Sequence, residues 1–174
     1  MHRLVGAPVA MAAARGGGVV PRHRLAAVDR LVSQVTASLA DRTVTLSWIH
    51  GDFWLGNVIV GESGEIAGII DWGGMDRAGL PGIDIVHLIL TTRTLRSGRE
   101  LGPVVLEALD DPDCSESESA LLDMIEVQPG SSWWRTLVLL AWVNHLASNV
   151  RKSDRYRSNW LWAARNVDHV LSTL

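Results

Sequence analysis

Lysine and cysteine are the scarcest reactive residues of this chain. The 174-residue sequence has one cysteine, Cys114, which excludes an internal disulfide. A protein without disulfides is typical of a reducing compartment, so we predict a cytoplasmic location. There is also a single lysine, Lys152, so arginine supplies nearly all of the positive charge. Phenylalanine and tyrosine occur once each against eight tryptophans, and most aromatic surface must therefore come from tryptophan.

The charge and hydropathy of the chain argue against two classes of partner. Its net charge of −3 gives no general affinity for nucleic acid or for anionic membranes. The most apolar stretch, residues 133–150, is interrupted by Arg135, Asn144 and His145. It is also shorter than the ~20 apolar residues that a membrane-spanning helix needs. With 47% hydrophobic residues, the chain is instead expected to fold around a sizeable core.

Hydrophobic periodicity predicts a small β-hairpin among helices. Residues 25–40 place their apolar side chains on one helical face, and residues 43–49 alternate like a strand with one buried face. Two short apolar runs, 58–60 and 66–70, flank a turn rich in glycine and predict a hairpin. Helical patterns fill most of the remaining chain. The predicted fold class is therefore α+β and mostly helical.

A carboxylate and an amide are predicted to converge at the base of this hairpin. If Val60 pairs with Ile66, then Asn57 lies opposite Ile69, and Asp71 follows two residues later at ~3.3 Å per residue. Carboxylate and amide oxygens suit a hard cation such as Mg²⁺, which keeps waters and phosphate oxygens among its ligands. We therefore predict a magnesium site at Asn57 and Asp71.

A second carboxylate precedes the hairpin. Asp52 lies five residues before Asn57, on the loop between the strand and the hairpin, and can face the same place. A carboxylate there can accept a hydroxyl proton and direct that oxygen at a phosphorus atom. The alternative is that Asp52 and Asp71 are ordinary turn residues at strand ends, where aspartate is common.

Three motifs resemble the motifs of one enzyme family. Residues 50–57, HGDFWLGN, resemble the HGDxxxxN catalytic loop of the aminoglycoside phosphotransferase and choline kinase family. Residues 69–72, IIDW, resemble the IDW element of that family, and residues 79–84, GLPGID, resemble its following GxPxxD segment. The resemblance covers residues 25–174 and implies a kinase-like C-terminal lobe with a catalytic hairpin, while residues 1–24 are predicted to be poorly ordered.

The resemblance also implies a role for each matching residue. Asp52 would be the catalytic base, and Asn57 and Asp71 would hold Mg²⁺ bound to the phosphates of ATP. His50 and Asp84 would be structural and would brace the catalytic loop. The chain would then be an ATP- and Mg²⁺-dependent phosphotransferase acting on a hydroxyl group of a small molecule.

The sequence departs from the family upstream of the motifs. Kinases of this kind carry an N-terminal lobe with a glycine-rich turn and a lysine that contacts the ATP phosphates. About 25 residues precede the first predicted helix, so we expect this ATP-gripping lobe to be absent from the chain. Lys152 lies far downstream and is predicted to be a solvated surface residue. An exposed apolar surface is expected where the lobe would sit.

Three explanations fit that departure. The chain is a truncated form of a longer kinase, or it needs a separate chain that supplies the lobe, or it is a remnant without catalysis. We favour the first, because the predicted base and metal residues are all intact. The alternative function is a non-catalytic interaction or scaffold protein derived from a kinase C-terminal lobe.

The acceptor is less well defined by the sequence. Acidic residues between 107 and 126 would attract a cationic acceptor such as an amino sugar, although a solvated acidic loop is the more common case. An aminoglycoside-like compound or another metabolite fits equally. Trp54 and Trp72 flank the motifs and are candidates to stack on a sugar ring. The sequence argues against a two-metal phosphoesterase, because the other histidines form no second cluster in it.

Overall fold

A computed structural model describes residues 19–40 and 42–174 of the protein. Residues 1–24 were predicted to be poorly ordered, and residues 1–18 of this segment lie outside the described residues. Beyond that point, the chain packs against the helices. Val19 is buried, and the Arg24 guanidinium donates a hydrogen bond of 2.6 Å to the Asp168 carboxylate.

Four short strands form two separate two-stranded antiparallel sheets. The strands are β1 (Ser47–Ile49), β2 (Val58–Val60), β3 (Ile66–Ile69) and β4 (Asp76–Gly79). The hairpin of β2 and β3 is confirmed, whereas the strand predicted from residue 43 begins only at Ser47. Strand β4 was not predicted. It pairs with β1, and its Gly79 leaves room for the Ile49 side chain, which a Cβ at Gly79 would meet at 2.3 Å.

The register of the hairpin differs from the prediction by one residue. Val60 pairs with Ile66 as expected, but the register shifts between Ile59 and Val60. In consequence the Ile70 N–H donates to the Asn57 carbonyl at 2.9 Å. Asn57 thus lies opposite Ile70 rather than Ile69, and Asp71 is the next residue along. The bulge brings the two predicted metal residues one position closer than a regular ladder would.

Helices make up most of the described chain, as the α+β prediction expected. The longer ones are α1 (Leu25–Ala40), α2 (Gly82–Ser97), α3 (Leu101–Asp110), α4 (Glu116–Asp123) and α5 (Ser132–Lys152). Helix α5 is the central element of the core. Ser131 caps it by accepting a hydrogen bond from the Trp134 N–H, and buried side chains cover most of its faces. None of the helices in the described ranges is both long and apolar enough to cross a bilayer.

The C-terminal region is broken into short helical pieces. Helices α6 (Asp154–Ser158) and α7 (Trp160–Ala163) are followed by a π-helical turn, Ala164–Asp168, and by α8 (His169–Leu171). The break lies at Asn159, whose side chain accepts the Trp162 N–H and so caps α7. A capping asparagine starts a new helix more readily than it continues an old one.

The two small sheets carry an exposed apolar surface. Most of the large apolar side chains that remain exposed in the described residues lie between residues 46 and 75. We call five of them, Trp48, Ile59, Val60, Ile66 and Trp72, the sheet apolar surface, and their exposed fractions run from 47% to 70%. Large apolar side chains exposed in this number often mark an interaction site. An exposed apolar surface is therefore present next to the predicted motifs.

Candidate active site

The site is built on the 50–57 loop, which leaves the end of β1. Asp84, in the first turn of α2, accepts hydrogen bonds from the backbone N–H groups of His50 at 2.6 Å and Gly51 at 2.9 Å. Gly51 adopts a positive φ of 77°, and a Cβ there would lie 2.1 Å from the Gly74 carbonyl oxygen. One carboxylate and one tightly packed glycine thus fix the start of the loop.

His50 ties the loop to the end of the hairpin. Its ring is buried, and its Nε2–H donates to the Ile70 carbonyl at 2.8 Å. Because Nε2 carries the proton, Nδ1 is free to accept the Asp52 N–H, which lies 3.3 Å away. The ring also packs against Trp72 at a centroid distance of 4.7 Å. His50 therefore holds Asp52 and the segment before Asp71 in a fixed relation.

Asn57 and Asp71 present oxygen atoms on the two sides of the hairpin base. Asn57 is buried, and its amide nitrogen donates to the Asp52 carbonyl at 2.9 Å, which leaves the amide oxygen as the atom available to a cation. Asp71 adopts a left-handed conformation with φ 59°, uncommon outside glycine, and its side chain is 53% exposed. An unpaired amide oxygen and an accessible carboxylate fit the preference of Mg²⁺ for oxygen ligands and retained water.

Lys152 joins these residues and corrects the prediction that it is a solvated surface residue. Its ammonium nitrogen lies 2.5 Å from the Asp52 carboxylate and 3.5 Å from the Asp71 carboxylate. Partial burial lowers the pKa of Lys152, but the hydrogen bond and charge of Asp52, together with Asp71, outweigh it and raise the pKa above its ordinary value. The chain's only lysine thus bridges the predicted base and the predicted metal residue.

A chain of hydrogen bonds through two histidines connects the 50–57 loop to the helices that pack against it. His87 Nδ1 lies 2.9 Å from the Phe53 carbonyl, so this nitrogen must carry the proton. His87 Nε2 then accepts from His145 Nδ1 at 3.0 Å, and His145 Nε2 accepts from the Asn149 amide at 2.8 Å. Both rings are neutral in this arrangement, and each uses both nitrogens. Helix α5 is thereby joined through α2 to the 50–57 loop.

The two histidines come together although no spacing in the sequence indicates a second cluster. They are 58 residues apart, and one ligand atom from each lies with an Asp52 oxygen in a group no wider than 4.8 Å. That spacing is also compatible with a metal ion. The hydrogen bond between the two rings accounts for their short contact, so no metal ion is needed to explain it. A helix-to-helix contact of this kind leaves no local pattern in the sequence.

The histidine pair predicts a loss of stability in mild acid. Burial, aided by the neighbouring His87, lowers the pKa of His145 to about 3, and burial also lowers the pKa of His87. An unfolded histidine takes up its proton near pH ~6.5, so between there and pH 3 the unfolded state binds more protons than the folded state. We expect the free energy of unfolding to fall as the pH falls from 6.5 towards 3, measured by urea denaturation at several pH values.

The control for this prediction is a comparison between two histidine variants. In His145→Gln, the advantage of the wild-type chain over the variant should shrink as the pH is lowered through this window. His169→Gln changes an exposed histidine and should run parallel to the wild type. If the difference between wild type and His145→Gln does not change with pH, the buried pair contributes no acid sensitivity.

The two tryptophans proposed to contact an acceptor occupy different environments. Trp54 is half-buried and its ring covers Gly56, where a Cβ would lie 2.3 Å from the indole. Trp72 is 47% exposed, with its Nε1–H donating to the Ile69 carbonyl at 2.9 Å. Of the two, Trp72 offers an accessible face beside Asp71, whereas Trp54 serves the packing of the 50–57 loop.

Comparison with known proteins identifies a matching family. The model of the phosphotransferase enzyme family matches residues 10–119. No curated protein and no solved structure matches the chain. The matched stretch contains the 50–57 loop, Asp71 and Asp84, whereas Lys152 and His145 lie beyond it.

Proposed function

Because the chain belongs to the phosphotransferase enzyme family, we propose that it transfers the terminal phosphoryl group of ATP, with Mg²⁺, to a hydroxyl of a small molecule. The observation that carries this proposal is that the Asp52 and Asp71 carboxylates both contact the Lys152 ammonium group, while Asn57 donates to the Asp52 carbonyl. The 50–57 loop, which carries Asp52 and Asn57, is fixed by His50 and Asp84 through hydrogen bonds of 2.6 to 3.3 Å. Phosphoryl transfer depends mainly on positioning and charge neutralisation, which this arrangement supplies.

Asp52 is the proposed base. Its side chain is only 10% exposed, and it lies near the start of the 50–57 loop, whose backbone is held on both sides of it. An acceptor hydroxyl hydrogen-bonded to it would be aimed at the phosphorus atom. As the new O–P bond forms and the bond from phosphorus to ADP breaks, the hydroxyl proton passes to the carboxylate.

Asn57 and Asp71 are the proposed cation ligands. Bound there, magnesium would withdraw negative charge from the phosphate oxygens. The fit rests on the donor set, which offers an amide oxygen and a carboxylate beside open solvent for the phosphates. Asn57 is kept in place by its bond to the Asp52 carbonyl, so the ligand and the base are positioned by one another.

The acceptor class follows less directly. An amino sugar, an aminoglycoside-like compound or another hydroxyl-bearing metabolite is proposed. Part of the acidic charge that would favour a cationic acceptor is already neutralised, since Arg93 binds Glu118 at 2.8 Å and Arg99 pairs with Glu107. The exposed ring of Trp72 is the proposed stacking surface for a sugar.

A second lobe is part of the proposal. The sheet apolar surface lies next to the site and would be covered by an element that also encloses the nucleotide, either from a longer form of this polypeptide or from a separate chain. Its exposure supports that arrangement, because large apolar side chains of this number are normally buried against something. The lobe described by the structure would then be the kinase-like C-terminal lobe.

The test is Mg²⁺-dependent binding of ATP, measured by titration calorimetry. Asp71→Asn keeps the shape of the side chain but removes a charge-bearing ligand. We expect it to weaken Mg-ATP binding at least ~10-fold, the loss that follows from removing one charged interaction of about 1.4 kcal/mol. Asp29→Asn, on the exposed face of α1, is the matched control and should bind like the wild type.

Two outcomes would count against the proposal. Equal affinity of Asp71→Asn and the wild type would remove Asp71 from the cation site. A wild-type chain that binds neither Mg-ATP nor Mn²⁺ would instead favour the alternative, a non-catalytic interaction or scaffold protein built on the same fold.

A further inference from the structure

We propose that Lys152 is a catalytic residue of this site, whose ammonium group contacts the phosphoryl group during its transfer. The inference rests on the proposed function and adds to it a residue that neither the sequence motifs nor the family match contains. It starts from one contact: the Lys152 nitrogen lies 2.5 Å from the Asp52 carboxylate and 3.5 Å from that of Asp71.

The position of the ammonium group coincides with the path of the reaction. The acceptor oxygen must lie within hydrogen-bonding distance of Asp52, and the phosphates must lie beside the cation at Asp71. The phosphoryl group therefore crosses the space between these two carboxylates. Lys152 is within reach of both, so any group that crosses this space passes within reach of its ammonium.

Lys152 is positioned by helix α5, through the spacing of three residues along it. His145, Asn149 and Lys152 are separated by four and three residues, and so they lie on one face of the helix. Asn149 and His145 belong to the hydrogen-bond chain that ends at the Phe53 carbonyl. One turn of the same helix also brings the Asn144 amide 2.8 Å from the Gly51 carbonyl. The helix is thus held in register with the loop, and the lysine with it.

The helix ends at the lysine. Lys152 is the last residue of α5, and Ser153 starts the next helix by accepting the Arg155 N–H at 3.2 Å. Val150, two residues earlier, is buried and anchors the final turn. The backbone of Lys152 is therefore fixed, while its side chain is 46% exposed and free to reach a bound phosphate.

The charge balance of the site calls for such a cation. Two carboxylates face each other here, and ATP brings further negative charge. His87 and His145 are held neutral by their hydrogen bonds. Among the described residues, Lys152 is the only cation within 4 Å of either carboxylate. As a compact point charge, lysine suits a phosphoryl group whose charge is spread over three oxygens.

The phosphoryl transfer needs no reactant besides ATP and the acceptor. The acceptor oxygen forms its bond to phosphorus, the bond between phosphorus and ADP breaks, and the hydroxyl proton goes to Asp52. Lys152 exchanges its contacts with the two carboxylates for hydrogen bonds to the phosphoryl oxygens and keeps its own proton. It thereby stabilises the charge that develops during transfer.

The test compares Lys152→Met with Lys152→Arg and with Arg151→Met, which alters the exposed neighbour on the same turn. In Lys152→Met we expect at least a ~10-fold weaker affinity for Mg-ATP and a fall in kcat of about 10² to 10³, the loss typical of one charge-stabilising donor. Lys152→Arg should recover part of both losses, and Arg151→Met should match the wild type.

A readout independent of ATP separates this role from a structural one. Binding of Mn²⁺ alone, followed by electron paramagnetic resonance, should be unchanged or tighter in Lys152→Met, because a competing positive charge has been removed. A merely structural lysine would instead lower Mn²⁺ affinity and thermal stability together.

The outcomes distinguish this inference from the proposed function. If the wild type binds Mg-ATP and Lys152→Met binds and turns over within twofold of it, Lys152 does not contact the phosphoryl group, and the proposed function stands. A faster Lys152→Met would also overturn the inference, since the lysine would then be restraining Asp52. If the wild type itself binds neither Mg-ATP nor Mn²⁺, the proposed function fails and this role fails with it.

Discussion

Replacing Asp52 with asparagine is expected to abolish most phosphoryl transfer while leaving the fold intact. The amide has the shape of the carboxylate but cannot accept the hydroxyl proton, and loss of a general base typically costs ~10² to 10⁴-fold in rate. The backbone contacts of Asp52, from its N–H to His50 and from Asn57 to its carbonyl, do not depend on the side chain and are kept. The measurement is kcat for transfer to an acceptor, with Mg-ATP affinity determined on the same samples.

The variant is informative because it separates the base from the cation site. Affinity for Mg-ATP should stay close to that of the wild type, since Asp52 is not a proposed cation ligand. Asp111→Asn, an exposed residue that follows α3, is the control for the loss of one negative charge. A decrease in kcat of less than tenfold would show that Asp52 orients the acceptor without taking its proton.

The second large effect is a loss of stability, and we expect it from Gly51→Ala. A methyl group there meets the Gly74 carbonyl oxygen at 2.1 Å, far inside van der Waals contact, and the backbone is at φ 77°. Relieving a clash with backbone costs ~1 to 3 kcal/mol, and the left-handed conformation adds ~1 to 2 kcal/mol for a residue with a Cβ. Gly51→Ala should therefore lower the free energy of unfolding by several kcal/mol, measured by urea denaturation.

Gly64 provides a matched control for the conformational cost of placing a residue with a Cβ at a positive φ. Gly64, in the turn of the hairpin, has a similar φ of 88°, but a Cβ there meets nothing within 4 Å. Gly64→Ala should therefore show only the conformational cost of ~1 to 2 kcal/mol. Equal destabilisation by the two variants would mean that the close approach of Gly51 to Gly74 is not a constraint on the 50–57 loop.

The hairpin and the polar motif could be predicted because their signals are local. The apolar runs, the glycine-containing turn and the spacing of Asp52, Asn57 and Asp71 all lie within 20 residues of one another. Even there, the prediction missed the bulge between Ile59 and Val60, which no residue in a run of β-branched side chains announces. Register within a hairpin is set by hydrogen bonds that a pattern of hydrophobicity does not specify.

Features that depend on distant contacts were missed for a physical reason. Strand β4 has the sequence Asp-Arg-Ala-Gly, with little alternation, and it becomes a strand because β1 offers a partner 27 or more residues away. Lys152 is 100 residues from Asp52, so no spacing rule connects them. One signal was available: a chain that uses arginine everywhere else has a single lysine, and an exception of that kind merits a hypothesis of its own.

The bulge in the hairpin has a consequence for engineering the protein. Because Ile70 donates to Asn57 at the base, the geometry of the two proposed cation ligands is fixed below the bulge, independently of the tip at residues 61–65. The tip is exposed and is closed by its own bonds, from Gly61 to Glu65 and from Gly64 to Gly61. We therefore expect the fold to accept extra residues at the tip. A single deletion within β2 or β3 would instead move every side chain of that strand to the opposite face.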